Sequence, residues 1–242
     1  MLGGNAAFVR LVPEPFPTLL ERHVDQQVVN LGALNASVDM YLNDPALMRI
    51  ATDADWVVVQ ITGAHNLSNR FYKVHPRRND RFIRASALLR SIYAELDFTE
   101  FHFTRHLLSG LYQTSPRRFA MFLEELQAAW VMRMQMLLWQ LNSKVILLWM
   151  ADVAPGEPPD QGLDDGTHPL FVTRPMIEAV SADVGQYVEV LTPDMPRGAR
   201  TLGMIFGETE ATAAERMLPV ATHVEAAQQV SEALSALAGR QQ

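Results

Sequence analysis

Apolar residues along this chain fall into two kinds of run. Short unbroken blocks suit strands covered on both faces, and longer stretches with an apolar residue every three or four positions suit helices. Trp56-Val57-Val58-Val59-Gln60-Ile61 and Lys144 to Ala151 (KVILLWMA) are the clearest blocks, and each predicts a buried strand. Gln27 to Leu31, ending at Gly32, predicts another, and Leu170 to Thr173 and Gln186 to Leu191 predict two more, the second being the stronger. Helical spacing covers Thr18 to Val24, a stretch through Met40, Leu42, Leu47 and Ile50, and two helices between Asp80 and Tyr112. The longest helix follows Ser115 as N-cap and Pro116 as first helical residue. Its apolar positions Phe119, Phe122, Leu123, Leu126, Trp130, Met134, Leu137, Leu138 and Leu141 form one buried face. Thr222-His223-Val224-Glu225 reads as a capping box that opens a last helix running to about Leu237. Asp152 to His168, with five acids and no Lys or Arg, reads as a loop, and Pro193 to Gly207 is too rich in Pro and Gly to assign.

Strand, helix, strand in alternation predicts an α/β fold in which each helix crosses back over a mainly parallel sheet. The 242 residues suit one domain, 1–242, with residues 70–114 as a helical, basic insertion after the third strand. The chain has no cysteine, which excludes disulfides, thiolate metal sites and a Cys nucleophile. A net charge of −7 argues against general nucleic-acid binding. No apolar run is long enough to span a bilayer, and the first residues lack a basic start followed by an apolar core, so the cytoplasm is the expected compartment and no membrane partner is expected. Homo-oligomerisation is left open.

Chemistry concentrates after the Trp56 strand. From His65 to Arg81 the chain carries His65, Asn66, Ser68, Asn69, Arg70, Lys73, His75, Arg77, Arg78 and Arg81. Between Arg70 and Arg90 seven Lys or Arg stand against one acid, Asp80, whereas the rest of the chain holds 13 bases and 26 acids. A glycine and a dense polar loop beyond a buried strand is how an α/β sheet presents a ligand site. His65, Asn69, Arg70, His75, Arg77, Arg78 and Arg81 are therefore candidate substrate-binding residues, the arginines as planar clamps for a carboxylate, sulfate or phosphate. A solvated helix face balanced by nearby carboxylates accounts for such a charge run equally well. His102 and His106 share a helix face at a spacing that metals use, but no third ligand is evident and no metal is expected. Phosphate-loop and Gly-x-Gly-x-x-Gly patterns are absent, so no nucleotide cofactor is expected.

The turns after the early strands carry Gly3-Gly4-Asn5, then Asn30-Leu31-Gly32-Ala33-Leu34-Asn35, then Gly63-Ala64-His65-Asn66, and His223 lies near the start of the last helix. This order resembles the SGNH (GDSL-type) hydrolases, and the run GAHNLSNRFYKVHPRRNDRF resembles an uncharacterised bacterial domain family. The resemblance implies a three-layer sandwich of flavodoxin or SGNH type. It also implies a site in which Asn5 stands at the nucleophile turn, the Asn35 amide and the Asn66 side chain are oxyanion donors, and His223 is the base. Two parts depart from the family. Asn5 replaces the serine, and an amide is no nucleophile; Val220 stands where the carboxylate that would fix the His223 tautomer belongs. Ser37 and Ser68 lie near strand ends, but their spacing pairs neither with a base.

Only Met1 and Leu2 precede Gly3, although the family's first strand is central to its sheet. Either the sheet is short there or a strand lies upstream, and the second is the expectation. Two functions follow from the resemblance. One is a degenerate ester hydrolase or acyl-transfer enzyme acting on a small or carbohydrate-borne anionic substrate. The other is a non-catalytic module of the same fold that binds a small anionic or acylated ligand, or a partner.

Overall fold

The computed structural model describes residues 1–8, 10–142, 145–156, 169–182, 184–196 and 198–239. Its central sheet holds three parallel strands, β1 (Val57–Gln60), β4 (Val145–Ala151) and β5 (Gln186–Leu191), in the order β1-β4-β5. Two extended segments continue it beyond β1. Leu2 bridges Val59 in parallel, and Met1 and Gly3 carbonyls accept from Leu31 and Ala33 at 2.9 and 3.1 Å. Across the sheet the segments therefore run second, first, third, fourth, fifth in chain order, and all point the same way. The direction of the chain's crossovers reverses between the first and third.

Every β4 side chain is buried, as the unbroken apolar block requires. Successive residues face opposite ways: Val145, Leu147 and Trp149 join one core, and Ile146, Leu148 and Met150 the other. On the first side lie α3 (Val38–Leu42), α7 (Pro116–Gln140) and α8 (Arg174–Ser181). On the second lie α2 (Phe16–Val24) and α10 (Val220–Gly239). Layers of helix cover both faces, which makes the chain an α/β protein.

The periodicity of α7 is realised: Phe119, Phe122, Leu126, Trp130, Met134, Leu137 and Leu138 are buried, and the Ser115 hydroxyl accepts from the Arg118 amide. Trp130 also donates from Nε1 to the Thr62 carbonyl at 2.8 Å, which ties the long helix to the chain leaving β1. The predicted helix through Met40 and Ile50 is two, because the Asp44 carboxylate caps a new start at Pro45 for α4 (Pro45–Thr52).

Three predicted elements are corrected. Residues 80–85 are not helical: Tyr72–Val74 (β2) and Phe82–Ala85 (β3) pair as an antiparallel hairpin, and α5 (Ala87–Ile92) begins only after the Ser86 cap. The insertion is thus a hairpin followed by α5 and α6 (Thr104–Thr114). Leu170 to Thr173 is a turn, not a strand, with the Leu170 carbonyl accepting from Ala64. The last helix begins at Val220, so Thr222 lies inside its first turn; its hydroxyl meets Thr192, and Glu225 accepts from the Gln229 amide. Most of the loop predicted for Asp152 to His168 lies outside the described residues. Two short helices complete the described elements, α1 (Asn5–Phe8) and α9 (Ala211–Glu215).

Candidate functional site

A cleft of about 670 Å³ opens beyond the carboxyl ends of the sheet segments, at the reversal between the first and third. Its floor is built from strand tips: Gly4 and Asn5, Asn35 and Ala36, then Gln60 to Gly63 with His65 and Asn66, and Met150 of β4. One wall is the face of α6 that carries Thr104, Arg105, His106 and Ser109, with Asp80 beside it. Arg216, Met217, Leu218 and His223 also line the cleft. Asn5, Asn35, His65, Asn66 and His223, separated by up to 218 positions in sequence, thus line one cavity.

Backbone fixation begins at the first turn. The Tyr41 hydroxyl donates to the Gly3 carbonyl at 2.6 Å and accepts from its amide at 2.9 Å, and burial pushes its pKa up to about 12. The buried Gln60 side chain accepts from the Gly4 amide at 3.0 Å. A Cβ on Gly3 would lie 2.6 Å from Gln60 Oε1, so this close approach needs glycine.

Asn5 and Asn35 satisfy each other. The Asn35 amide donates to Asn5 Oδ1 at 2.6 Å, and Asn5 Nδ2 donates to Asn35 Oδ1 at 3.1 Å. Asn35 takes a left-handed backbone (φ 55°), which Asn tolerates better than most residues. The backbone amide expected to serve an oxyanion is thus engaged by Asn5.

Asn66 is buried in a short helical turn, Ala64–Asn66, and the Thr104 hydroxyl donates to its Oδ1 at 2.6 Å. Thr104 is itself held by donation of its amide to the Asp80 carbonyl at 2.9 Å. With its oxygen engaged, Asn66 offers its NH₂ as the end left to a ligand.

His223 has no solvent exposure. Its Nδ1 accepts from the Phe16 amide at 3.3 Å, at the first residue of α2, and the Phe16 ring stacks on it. Burial lowers its pKa to about 4, because an imidazolium there would lack hydration. The ring is therefore neutral near pH 7, and a nitrogen that accepts carries no proton, so the proton resides on Nε2. In this tautomer the ring presents a donor where a base was expected. Nε2 is buried without a hydrogen-bond partner among the described residues.

Of the arginine-rich loop, Asp80 lines the cleft, but the basic side chains do not. Asn69, Arg70, His75, Arg77, Arg78 and Arg81 are not among the residues that line the cleft. Arg70 pairs with Glu125 at 2.8 Å, Arg77 reaches Asp44 at 3.9 Å, and Arg81 stacks over the Phe103 ring. Asn69 Oδ1 accepts from the Phe71 and Tyr72 amides, and His75 Nδ1 from those of Arg77 and Arg78. These side chains shape the turns of the hairpin. Ser37 donates to Asn79 Oδ1 at 2.8 Å, Ser68 accepts from the Val74 amide, and neither lines the cleft.

Sequence reasoning missed Gln60, Asp80, Thr104 and Arg216. Gln60 had a signal, a lone amide closing an apolar strand, and Asp80 another, the single acid in a basic stretch. Thr104 and Arg216 had none. His106 packs edge-on against Phe101, and among the described residues no three His, Asp or Glu side chains gather as a metal site would require.

Residues 1–238 match the family described as a domain of unknown function (DUF6473). The chain belongs to that family. The match covers both the sheet and the insertion, so the cleft lies wholly within the family's extent. No curated protein and no solved structure matched the chain. No helix among the described residues is long and apolar enough to cross a membrane.

Proposed function

We propose that this chain is an SGNH-like module that binds a small anionic or acylated ligand, and that the hydrolytic machinery of that superfamily has been replaced by recognition. The order of segments across the sheet is the flavodoxin-like one, and a cleft at the reversal point is where such sheets hold ligands. One observation carries the reading: Asn5, at the position of the nucleophile, is locked into a reciprocal pair with Asn35. That pair supplies no nucleophile and engages the donor an oxyanion would need. The protonated Nε2 of His223 accords with it, because a ring that donates cannot take a proton from an attacking hydroxyl.

A second reading rests on Asn66, whose amide is fixed by Thr104 with the NH₂ end available to an oxyanion. In it the chain is an acyl-transfer enzyme whose attacking hydroxyl belongs to the substrate. A panel of acetyl and longer acyl esters, assayed with the wild type and with His223→Ala and Asn66→Ala, separates the two. The binding reading expects no turnover above the variants. Turnover in the wild type that both substitutions abolish would replace it with the enzyme.

A further inference from the structure

The cleft is polar in two opposite senses, and the buried atoms without partners show where. His223 lines the cleft and carries its proton on Nε2, because the Phe16 amide occupies Nδ1, and among the described residues Nε2–H has no acceptor. A buried donor without an acceptor is costly unless a ligand supplies one. Arg216 also lines the cleft, and a cation there favours a ligand oxygen that bears negative charge. Asp80, which also lines the cleft, has in Oδ1 a buried acceptor without a donor among the described residues, and its carbonyl accepts from the amide of Thr104, the residue that holds Asn66. A carboxylate oxygen there calls for a hydroxyl or amine proton.

We infer that the ligand is a hydroxylated carboxylate of the sugar-acid class, whose carboxylate meets His223 Nε2–H and Arg216 while a ring hydroxyl donates to Asp80. This rests on the ligand-binding reading of the same cleft. His223 and Asp80 are then specificity-determining residues: one rejects ligands without a carboxylate, the other rejects ligands without a hydroxyl. A site built to hydrogen-bond a group discriminates strongly against the analogue that lacks it, since its own buried atoms are left unpaired.

The first test needs no ligand. In ¹⁵N-labelled protein, long-range ¹H–¹⁵N correlation of the imidazole, with His223→Gln to assign the signals, reports the tautomer. The Nε2–H form at pH 7 is expected, and the Nδ1–H form overturns the donor role even if every variant proves unstable. The second test measures binding of D-glucuronate against glucose, which lacks the carboxylate, and cyclohexanecarboxylate, which lacks the hydroxyls. Glucuronate is expected to bind best and to weaken about tenfold or more in His223→Ala and in Asp80→Asn. His223→Gln is expected to recover part of the loss, because its amide restores a donor, whereas a purely structural role for the ring predicts no such recovery. No binding of glucuronate, or equal binding of all three compounds, overturns the ligand class. Ester turnover that requires His223 and Asn66 would instead remove the binding reading, while the tautomer result stands by itself.

Discussion

The cleft and the β2–β3 hairpin are both dense in polar side chains, yet they use them in opposite ways. In the hairpin, Asn69, His75 and Ser68 accept backbone amides from residues at most six positions away. Arg70 is paired with Glu125 and Arg81 is stacked on Phe103. Polar groups close together in sequence find each other first, because little chain entropy is lost in bringing them together. In the cleft the polar residues come from the ends of separate segments and from one face of α6, and Asp80 Oδ1 and His223 Nε2 have no partner among the described residues. Density of polar residues along a sequence marks a folding problem solved locally. Two buried atoms left unpaired and lining one cleft, Asp80 Oδ1 and His223 Nε2, are what a ligand there could complete.

That contrast can be tested through stability, from the largest expected effect to the smallest. His223 titrates near pH 6.5 when unfolded and at about 4 when folded. Between these values the unfolded chain binds more protons, so stability is complete above about pH 6.5 and falls as the pH drops toward 4. The loss approaches about 3 kcal/mol. Urea denaturation from pH 7.5 to 4 checks this, and His223→Gln should flatten the slope over that window. A wild-type curve as flat as the variant's would place the ring in a hydrated setting and weaken the contrast.

Tyr41→Phe strips two hydrogen bonds from Gly3 at the cleft floor and leaves its buried amide unsatisfied, while the carbonyl keeps Ala33, at a cost of about 1–3 kcal/mol by denaturant titration. Asn69→Ala removes three local bonds in the hairpin turn and should cost about 1–2 kcal/mol without altering ligand affinity. The smallest effect belongs to Arg77→Ala with Arg78→Ala. Both side chains are exposed and the Arg77–Asp44 contact is long, so stability should change by under about 0.5 kcal/mol. Affinity for an anionic ligand of the cleft, measured by calorimetric titration, should be unchanged. A salt-dependent loss of affinity there would return the arginines to the site.

Much of the architecture is legible before folding. The blocks at Trp56 and Val145 announce strands, because a strand covered on both faces has little room for polar side chains, and Gln186 to Leu191 announces one by the alternation that buries Val188 and Val190. The face of α7 is equally plain, and so is its start at Ser115-Pro116. The hairpin escapes because it is short, lies among charged residues and adjoins a true helix, so its alternation spans too few positions to oppose the helical pattern. Of the site, Asn5, Asn35, Asn66 and His223 are recognisable as residues that follow strands or open a helix.

Their chemistry is another matter. That Asn5 and Asn35 satisfy one another, that Thr104 holds Asn66, and that Phe16 occupies Nδ1 of His223 are facts about atoms brought together from 30 to 207 positions apart. The sequence by itself determined the strands, the long helix, the absence of thiol chemistry and the set of residues able to act. Tertiary structure decided which partner each polar atom received, and so which nitrogen of His223 keeps its proton. The physical reason is that burial patterns are periodic and local, whereas a hydrogen bond depends on a distance between groups that only the completed fold sets.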